Sequence, residues 1–278
     1  MLNGRDLVIA TMHKKEIVIA PILEKGLGVK CIIPESFNTD ELGTFTGEVK
    51  RIGSPFETAK KKCHLAMNLT GCDLVISSEG SFGAHPSLIF IPANEEILLL
   101  IDKKNNLEIG VKEISTETNF NAREVATEQE LIEFAQLTMF PSHGLIIMDS
   151  KECAGNIVKG IQDLELLLNT FKKFITNNKT VYVETDMRAF CNPSRMKVIE
   201  TATIKLVEKY KSACPRCQTP GFGITDLREG LPCSLCGFKT RSILSQISEC
   251  KKCSYIKEEL YPKGKKEEDP MYCDFCNP

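Results

Sequence analysis

Residues 214–236 read CPRCQTPGFGITDLREGLPCSLC, and two further Cys-x-x-Cys pairs follow at 250–253 and 273–276. Fifteen residues separate the first pair from the second, and nineteen separate the third from the fourth. Both spacings fit the Cys-x2-Cys-x15–20-Cys-x2-Cys pattern of a tetrahedral four-thiolate zinc site. We therefore expect two structural zinc ions. Their ligands would be Cys214, Cys217, Cys233, Cys236, Cys250, Cys253, Cys273 and Cys276.

Two pairings of these cysteines are open. Sequential pairing gives two stacked zinc ribbons, at about 211–240 and 247–278, whereas interleaved pairing gives one cross-braced module. The ribbon-like lengths of both loops favour sequential pairing. Redox dithiols and an iron–sulfur cluster are rival chemistries, but four regular pairs fit structural zinc better. Four protein ligands leave no open position on the metal, so these sites should stabilise a fold and not catalyse a reaction.

The rest of the composition indicates a globular protein of two domains. The chain has 278 residues, 42% of them hydrophobic, and a formal net charge of −2. Its longest aliphatic run, 97–101, is far shorter than a membrane-spanning helix requires. No small-residue cleavage site follows the first apolar run, and most of the 13 cysteines lie in metal-type pairs, so we expect a reducing, cytoplasmic location.

Residues 1–210 alternate between short apolar runs and helix-like segments. Runs at 7–10, 29–33, 74–76, 97–101, 145–148 and 181–183 predict buried strands. Capping signals at Ser54, Thr127 and Asn192 predict helices over about 55–69, from 128, and from 193 to about 210. This alternation predicts an α/β domain over 1–210, with a mixed or mostly parallel sheet and flanking helices. A double zinc-ribbon domain would follow at 211–278.

The charge of the C-terminal segment bears on its partners. Residues 211–278 carry 11 Lys plus Arg and 9 Asp plus Glu, and two four-thiolate zinc centres would bring the folded segment to about −2. This charge weakens a general affinity for phosphate backbones. Contact with a protein, or with RNA through a local patch, remains open. The patch would comprise Arg216, Lys239, Arg241, Lys251 and Lys252.

The amino-terminal region suggests an anion site. A strand that ends near Thr11, followed by a helix start, would expose backbone N–H groups beside Lys14 and Lys15. Glu57 and Glu79 could together hold Mg²⁺. Glu57 is equally well explained as the capping-box partner of Ser54.

Three segments resemble the inosine/xanthosine triphosphate pyrophosphatase superfamily: 9–16 (IATMHKKE), 53–60 (GSPFETAK) and 70–80 (TGCDLVISSEG). The resemblance implies a pyrophosphatase-like fold and Mg²⁺-dependent attack of water on a nucleoside triphosphate, with release of pyrophosphate. His13 stands where those enzymes have Asn, and the usual Lys position falls near Glu16. Phosphate binding would therefore move to Lys14 or Lys15, beside Thr11. His13 is a candidate for acid–base catalysis together with Glu57 and Glu79.

Two later segments also carry charged side chains. Glu184 and Asp186 are two residues apart, so in an extended chain they share a face and could form a second carboxylate pair. Arg188 and Arg195 could clamp phosphate beside a helix start. An internal cluster of salt bridges explains these residues equally well.

Taken together, several motifs resemble an uncharacterised bacterial domain-of-unknown-function family, and this resemblance carries no activity with it. They are Thr11-x-His13, residues 78–83, 141–144 and 184–188, and the terminal CDFCNP. The leading hypothesis is a Mg²⁺-dependent phosphohydrolase or nucleotide-binding enzyme of pyrophosphatase-like α/β fold that carries a structural double zinc ribbon. The alternative is a non-catalytic binding or adaptor protein whose zinc ribbons contact a protein or RNA. Five further cysteines follow no spacing pattern and are most simply small buried hydrophobic residues: Cys31, Cys63, Cys72, Cys153 and Cys191.

Overall fold

The computed structural model describes residues 2–34, 37, 53–151 and 155–278. The chain divides into two compact units, 1–207 and 208–278. In the described ranges, every helix is too short or too polar to cross a lipid bilayer. Of the five isolated cysteines, Cys63 and Cys191 are buried, Cys31 and Cys72 are half-buried, and Cys153 lies outside the described residues.

A five-stranded mixed sheet forms the first half of the larger unit. Its strands are β1 (Asp6–Ala10), β2 (Lys30–Ile32), β3 (Leu74–Ala84), β4 (Pro92–Asp102) and β5 (Leu107–Ser115), in the order β2-β1-β3-β4-β5. β2 and β3 both run parallel to β1, while β3, β4 and β5 form an antiparallel meander. The expected α/β class with a mixed sheet is thus confirmed.

The helices that connect the parallel strands are α1 (Glu16–Leu27) and α2 (Pro55–Thr70). α2 begins as the sequence predicts, because Ser54 and Glu57 form a reciprocal capping box. Its small residues Ala59, Cys63 and Ala66 pack against Val8 and other aliphatic side chains on one face of the sheet. On the opposite face, Gly26 of α1 lies against Val207, so a methyl group at this glycine would clash with the valine side chain.

The strand order creates a switch point at the carboxyl end of β1. The chain leaves β1 for β2 on one side, and then crosses back over β1 to reach β3 on the other side. In open α/β sheets, ligands bind in the crevice that forms where neighbouring connections leave in opposite directions. The residues that follow Ala10, together with residues 78–80 of β3, lie at this edge.

A second sheet, four-stranded and wholly antiparallel, completes the larger unit. Its strands are β6 (Ala122–Val125), β7 (Leu145–Met148), β8 (Ile157–Ile161) and β9 (Val181–Thr185), in the order β6-β9-β7-β8. The sequence predicts β7 and β9 but neither β6 nor β8, and it does not reveal that these strands leave the first sheet. Helices α3 (Glu128–Leu137) and α4 (Leu164–Ile175) contribute Leu131, Phe134 and Phe171 to its core.

The last helix, α5 (Pro193–Lys211), leads into a small antiparallel sheet. This sheet consists of β10 (Gly223–Glu229), β11 (Ile243–Glu249) and β12 (Ile256–Leu260), in that order. Each of its strands begins or ends close to a Cys-x-x-Cys pair. The sheet therefore sets the positions of the four pairs.

Candidate metal centres and buried ionic cluster

Each Cys-x-x-Cys pair forms the same tight turn. The backbone N–H that follows the second cysteine donates a hydrogen bond of 2.8–2.9 Å to the carbonyl oxygen of the first. Three of the donors have a left-handed φ: Gln218 at 58°, Gly237 at 71° and Ser254 at 54°. Gly237 adopts this conformation without steric cost, as the sequence suggests for a zinc knuckle.

The direction of the three strands decides how the pairs meet. β10 follows the first pair and leads to the second, β11 returns from the second pair to the third, and β12 leads from the third to the fourth. Because the strands are antiparallel, the first and third pairs meet at one end of the sheet and the second and fourth at the other. A seven-residue strand is about 24 Å long, so the two ends are well separated.

The sulfur positions agree with this interleaving. One group is Cys214, Cys217, Cys250 and Cys253, and the other is Cys233, Cys236, Cys273 and Cys276. The sequence-based expectation of sequential pairing is therefore wrong, and the ribbon boundaries 211–240 and 247–278 fail with it. Loop length alone misled the prediction, since it carries no information on strand direction.

The spacing of the sulfurs fits a tetrahedral zinc ion. Across the strand ends, Cys214 Sγ lies 3.7 Å from Cys253 Sγ, and Cys217 Sγ lies 3.6 Å from Cys250 Sγ. The corresponding distances in the second group are 3.9 Å and 3.7 Å. Four sulfurs at about 2.3 Å from one zinc ion would be about 3.8 Å apart. A disulfide would require about 2.05 Å.

The thiols of each group differ in acidity. Hydrogen bonding with Thr219, whose Oγ1 lies 3.1 Å from Cys217 Sγ, lowers the pKa of Cys217 to about 6. Burial, together with the neighbouring sulfurs, raises the pKa of Cys253 to about 12. A divalent cation would displace the remaining thiol protons, because only thiolates ligate zinc. The four-sulfur donor sets thus fit closed, structural zinc sites.

A buried ionic cluster lies at the switch point of the five-stranded sheet. Lys15, at the start of α1, is 4% exposed and donates a 2.8 Å hydrogen bond from Nζ to Ser78 Oγ. Its Nζ also lies 3.8 Å from Glu96 Oε2. On the other side of Glu96, Arg195 Nε donates to Oε1 at 2.6 Å, and both side chains of this pair are fully buried.

The expected catalytic carboxylate Glu79 forms an ion pair with Lys62 of α2. Side chains alternate between the two faces of a strand, so Ser78 and Glu79 of β3 point to opposite faces. Ser77, two residues before Glu79, contacts Ala59 and Cys63, which places Glu79 on the α2 face. Lys15 contacts Ser78 on the other face. The sequence-predicted Glu79 and Lys15 therefore have different direct partners.

Four cations act electrostatically on His13. Burial and the positive charges of Lys15, Arg195, Arg188 and Lys62 lower the pKa of His13 to about 4. The imidazole is therefore neutral at pH 7. Burial is also the main reason that the pKa of Lys15 falls to about 7. Lys62, Arg195 and Arg188 are each paired with a carboxylate, so Lys15 provides the excess positive charge that a bound anion would stabilise.

The backbone between β1 and α1 is unusual. His13 and Lys14 both have a left-handed φ, 68° and 59°, although neither is glycine. Each such conformation costs about 1–3 kcal/mol and is often found at functional sites. Thr11 is buried, and its hydroxyl donates to the Met12 carbonyl at 3.0 Å. The structure thus brings Lys15 and His13 into the cluster through a strained turn.

Glu57 lies apart from these groups. It is exposed, and its Oε2 accepts a 2.7 Å hydrogen bond from the backbone N–H of Ser54. The same hydrogen bonds lower the pKa of Glu57. The capping-box explanation of Glu57 is the one that these contacts support.

The second acidic pair also has internal partners. Asp186 is fully buried and accepts hydrogen bonds from Arg188 Nε at 3.0 Å and from the Gly160 backbone N–H at 3.0 Å. Arg188 in turn lies over the ring of Phe190, 4.8 Å from its centroid. Glu184 is half-buried, and burial together with Asp186 raises its pKa to about 7. These contacts match the salt-bridge alternative.

Magnesium does not fit these carboxylates. Glu79 is bound by Lys62, Glu96 by Arg195 and Asp186 by Arg188. A hard divalent cation needs carboxylate oxygens that are not already neutralised by cationic side chains. In the part of the chain that the structure describes, only the two cysteine groups bring three or more potential metal ligands together.

Two members of the buried ionic cluster, Lys62 and Glu96, were not predicted from the sequence. Lys62 is the last of three consecutive lysines in α2, and only helical periodicity distinguishes it from the half-exposed Lys60 and the exposed Lys61. Glu96 follows Glu95 at the start of an aliphatic strand, where strand alternation sends one of the two inward. Strand alternation could therefore have predicted that one of the two glutamates is buried, although it does not identify the ion-pair partner.

Comparisons with known proteins give a family but no activity. Residues 62–278, more than three quarters of the chain, match the family described as "Domain of unknown function (DUF6671)". The match includes all eight zinc-type cysteines and excludes His13 and Lys15. No curated protein matches the sequence. The resemblance to inosine/xanthosine triphosphate pyrophosphatases finds no support in these comparisons, and by its match the chain belongs to the DUF6671 family.

Proposed function

We propose that the two cysteine groups each hold one zinc ion and that these ions keep residues 208–278 folded. The observation that carries this proposal is the 3.6–3.9 Å spacing between sulfurs from different strands. The segment has only a small apolar core, which includes Phe222 and the cysteines themselves. Zinc binding would supply the folding free energy that such a core lacks.

Metal analysis and chelation test this proposal. Purified protein should contain two zinc ions per chain, and a strong chelator should unfold the three-stranded sheet while the helices of residues 2–207 keep their circular dichroism. Cys233→Ser should remove one zinc ion and make Cys236, Cys273 and Cys276 reactive. Cys72→Ser, at a half-buried cysteine outside both groups, should keep both ions. A zinc content well below two would contradict the proposal.

A second proposed function is the binding of a phosphorylated small molecule by the larger unit, with nucleoside triphosphate hydrolysis as its more specific form. Positive charges lower the pKa of His13 near the switch point of the sheet, and Lys15 adds a cation beyond the three that are paired with carboxylates, which favours an anionic ligand. Glu79, Glu96 and Asp186 are already paired with cationic side chains, so these carboxylates do not offer a Mg²⁺ site for the hydrolytic step. The binding proposal therefore depends on the positive charge near His13 and on its position at the switch point of the sheet.

Calorimetry with pyrophosphate and with a panel of nucleoside triphosphates tests this second function. Lys15→Met should weaken binding by about tenfold or more, the loss expected for one charge-assisted contact. Lys60→Met is the matched control. Lys60 lies on the same helix as Lys62, is half-exposed and forms an ion pair with Glu108 of β5. Parallel assays of phosphate and pyrophosphate release would detect hydrolysis. Equal binding by Lys15→Met and wild type would contradict the proposed site.

Contact of the zinc module with a protein or RNA is the non-catalytic alternative. Its support is the pair of exposed rings Phe238 and Phe275, whose centroids are 6.0 Å apart beside the second cysteine group. Stacking of unpaired bases on such rings is worth about 1–3 kcal/mol per base. Fluorescence anisotropy with a labelled single-stranded RNA, using Phe238→Ala and Phe275→Ala, would detect RNA binding. An unchanged signal at high protein concentration would exclude the RNA form.

A further inference from the structure

A serine and a histidine from distant parts of the chain form a hydrogen-bonded pair in the larger unit. His143 precedes β7 and is 5% exposed. Ser194 is the second residue of α5 and is half-buried. Ser194 Oγ lies 2.9 Å from His143 Nε2, a hydrogen-bond distance for a nucleophile and its base.

The surrounding hydrogen bonds assign the proton on the imidazole ring. Ser142 Oγ donates to the Met139 carbonyl at 2.7 Å, so its lone pairs accept from His143 Nδ1 at 3.0 Å. Nε2 is then the unprotonated nitrogen and accepts from the Ser194 hydroxyl. The Ser194 backbone N–H also points to Nε2, at 3.4 Å, which agrees with an acceptor there. Burial lowers the pKa of His143 and keeps the ring neutral.

Ser194 is not needed as a helix cap. The Asn192 side chain already accepts the Arg195 backbone N–H at 2.9 Å, and the Asn192 carbonyl accepts from Met196. The hydroxyl of Ser194 is therefore available for a role other than capping.

Ser194 opens onto a surface pocket. The pocket has a volume of ≈ 120 Å³, which is room for a small acyl group and less than the roughly 300 Å³ or more of a drug-sized ligand site. Its other lining residues are Glu113, Ser115, Glu117, Lys197, Val198 and Thr201. Lys197 lines the same pocket as Ser194, and its positive charge contributes to the lowered pKa of His143. The pocket lining thus includes a cation and a serine that is hydrogen-bonded to a base.

We propose that Ser194 is a nucleophile activated by His143 and that it takes the acyl group of a small polar ester bound in this pocket. This activity goes beyond the zinc and phosphate proposals and shares no residue with them. Ser194 Oγ forms a bond to the ester carbonyl carbon, and its proton moves to His143 Nε2. The carbonyl oxygen becomes an oxyanion beside the Lys197 ammonium.

Collapse of this intermediate breaks the bond from the carbonyl carbon to the alkoxy oxygen. The alcohol leaves with the proton that His143 held. Water then attacks the acyl-serine, gives a proton to His143 and releases the carboxylic acid as Ser194 regains its hydrogen. His143 returns to its neutral form, and no oxidant or metal is consumed.

Covalent labelling tests the nucleophile. A fluorophosphonate probe would form a bond between Ser194 Oγ and phosphorus with loss of fluoride, and peptide mass spectrometry would locate the adduct. Labelling should disappear in Ser194→Ala and slow by about 100-fold in His143→Gln. Ser87→Ala is the matched control, since Ser87 is exposed in the loop between β3 and β4, does not line the pocket and should leave labelling unchanged. Hydrolysis of p-nitrophenyl acetate should follow the same order.

Ser142 is a positioning residue in this arrangement, and nitrogen NMR provides a readout of its role. In wild type, the ¹⁵N shifts of His143 should show a protonated Nδ1 and an unprotonated Nε2. Ser142→Ala should mix the two tautomers and slow labelling while circular dichroism stays unchanged. The proposal is overturned if wild type gives no adduct at Ser194, if His143→Gln labels at the wild-type rate, or if Nε2 carries the proton.

Discussion

Replacing Arg195 by Met removes the cation from a fully buried ion pair. Both side chains of the Arg195 and Glu96 pair are 0% exposed, so the substitution leaves a carboxylate in the protein interior. Loss of one partner from a buried pair costs about 3–5 kcal/mol. Lys15 Nζ remains 3.8 Å from Glu96, and the loss of Arg195 removes a repulsion that lowers the pKa of Lys15. We therefore expect the lower end of the range, about 3 kcal/mol.

Thermal unfolding followed by circular dichroism at 222 nm measures this cost. The helices α1 to α4 and nearly all of α5 lie in residues 2–207, so the signal reports on the larger unit. For a unit of this size, about 3 kcal/mol corresponds to a Tm lower by about 6–12 °C.

A matched variant at the surface separates burial from charge. Lys205→Met breaks the ion pair with Glu113, in which Lys205 is half-exposed, and should cost less than about 1 kcal/mol. Combining Arg195→Met with Glu96→Leu should recover part of the lost stability, because the buried carboxylate is then removed, while Lys15 loses its ion-pair partner. Equal Tm values for Arg195→Met and Lys205→Met would refute the argument from burial.

Three further predictions concern charge and capping. The pKa of Lys15 is about 7 in the folded state against 10.5 in the unfolded chain. Between these values only the unfolded chain holds the proton, so the stability due to this group should rise from pH 7 towards 10. Urea titrations at several pH values should show that Lys15→Met flattens this rise. The pKa of Glu184 is about 7 in the folded state against 4.5 in the unfolded chain, so the folded state holds the extra proton and stability should fall from pH 4.5 to 7. Glu184→Gln should stabilise the protein by about 1–3 kcal/mol at pH 8 and by little at pH 4. An equal gain at both pH values would contradict this prediction. Glu57→Ala should lower stability by about 1 kcal/mol through loss of the capping box while leaving pyrophosphate binding unchanged, and a loss of that binding would restore a role for Glu57 in the site.

Sequence reasoning recovered features that depend on local signals. Short motifs identify the eight cysteines and the helix starts after Ser54, Thr127 and Asn192. The structure has helices that begin at Pro55, Glu128 and Pro193. The pairing of the cysteines depends on strand direction across 63 residues, from Cys214 to Cys276. Spacing within a motif contains no such information, so the preference for sequential pairing had no physical basis beyond loop length.

The ionic cluster shows the same limit. Lys15 could be singled out because it follows a strand end, but its partners Ser78 and Glu96 come from β3 and β4. Arg195 was expected to hold phosphate, yet it lies fully buried against Glu96. Which charges neutralise each other is decided by the packing of α2 and α5 on the sheet. A single sequence supplies the charges but not their pairing.

The most direct test of the cross-braced metal module is NMR of protein in which ¹¹³Cd replaces zinc. Scalar coupling from each cadmium nucleus to cysteine β-protons identifies its four ligands. The account predicts that one cadmium couples to Cys214, Cys217, Cys250 and Cys253, and the other to Cys233, Cys236, Cys273 and Cys276. Coupling of one cadmium to Cys214, Cys217, Cys233 and Cys236 would contradict it.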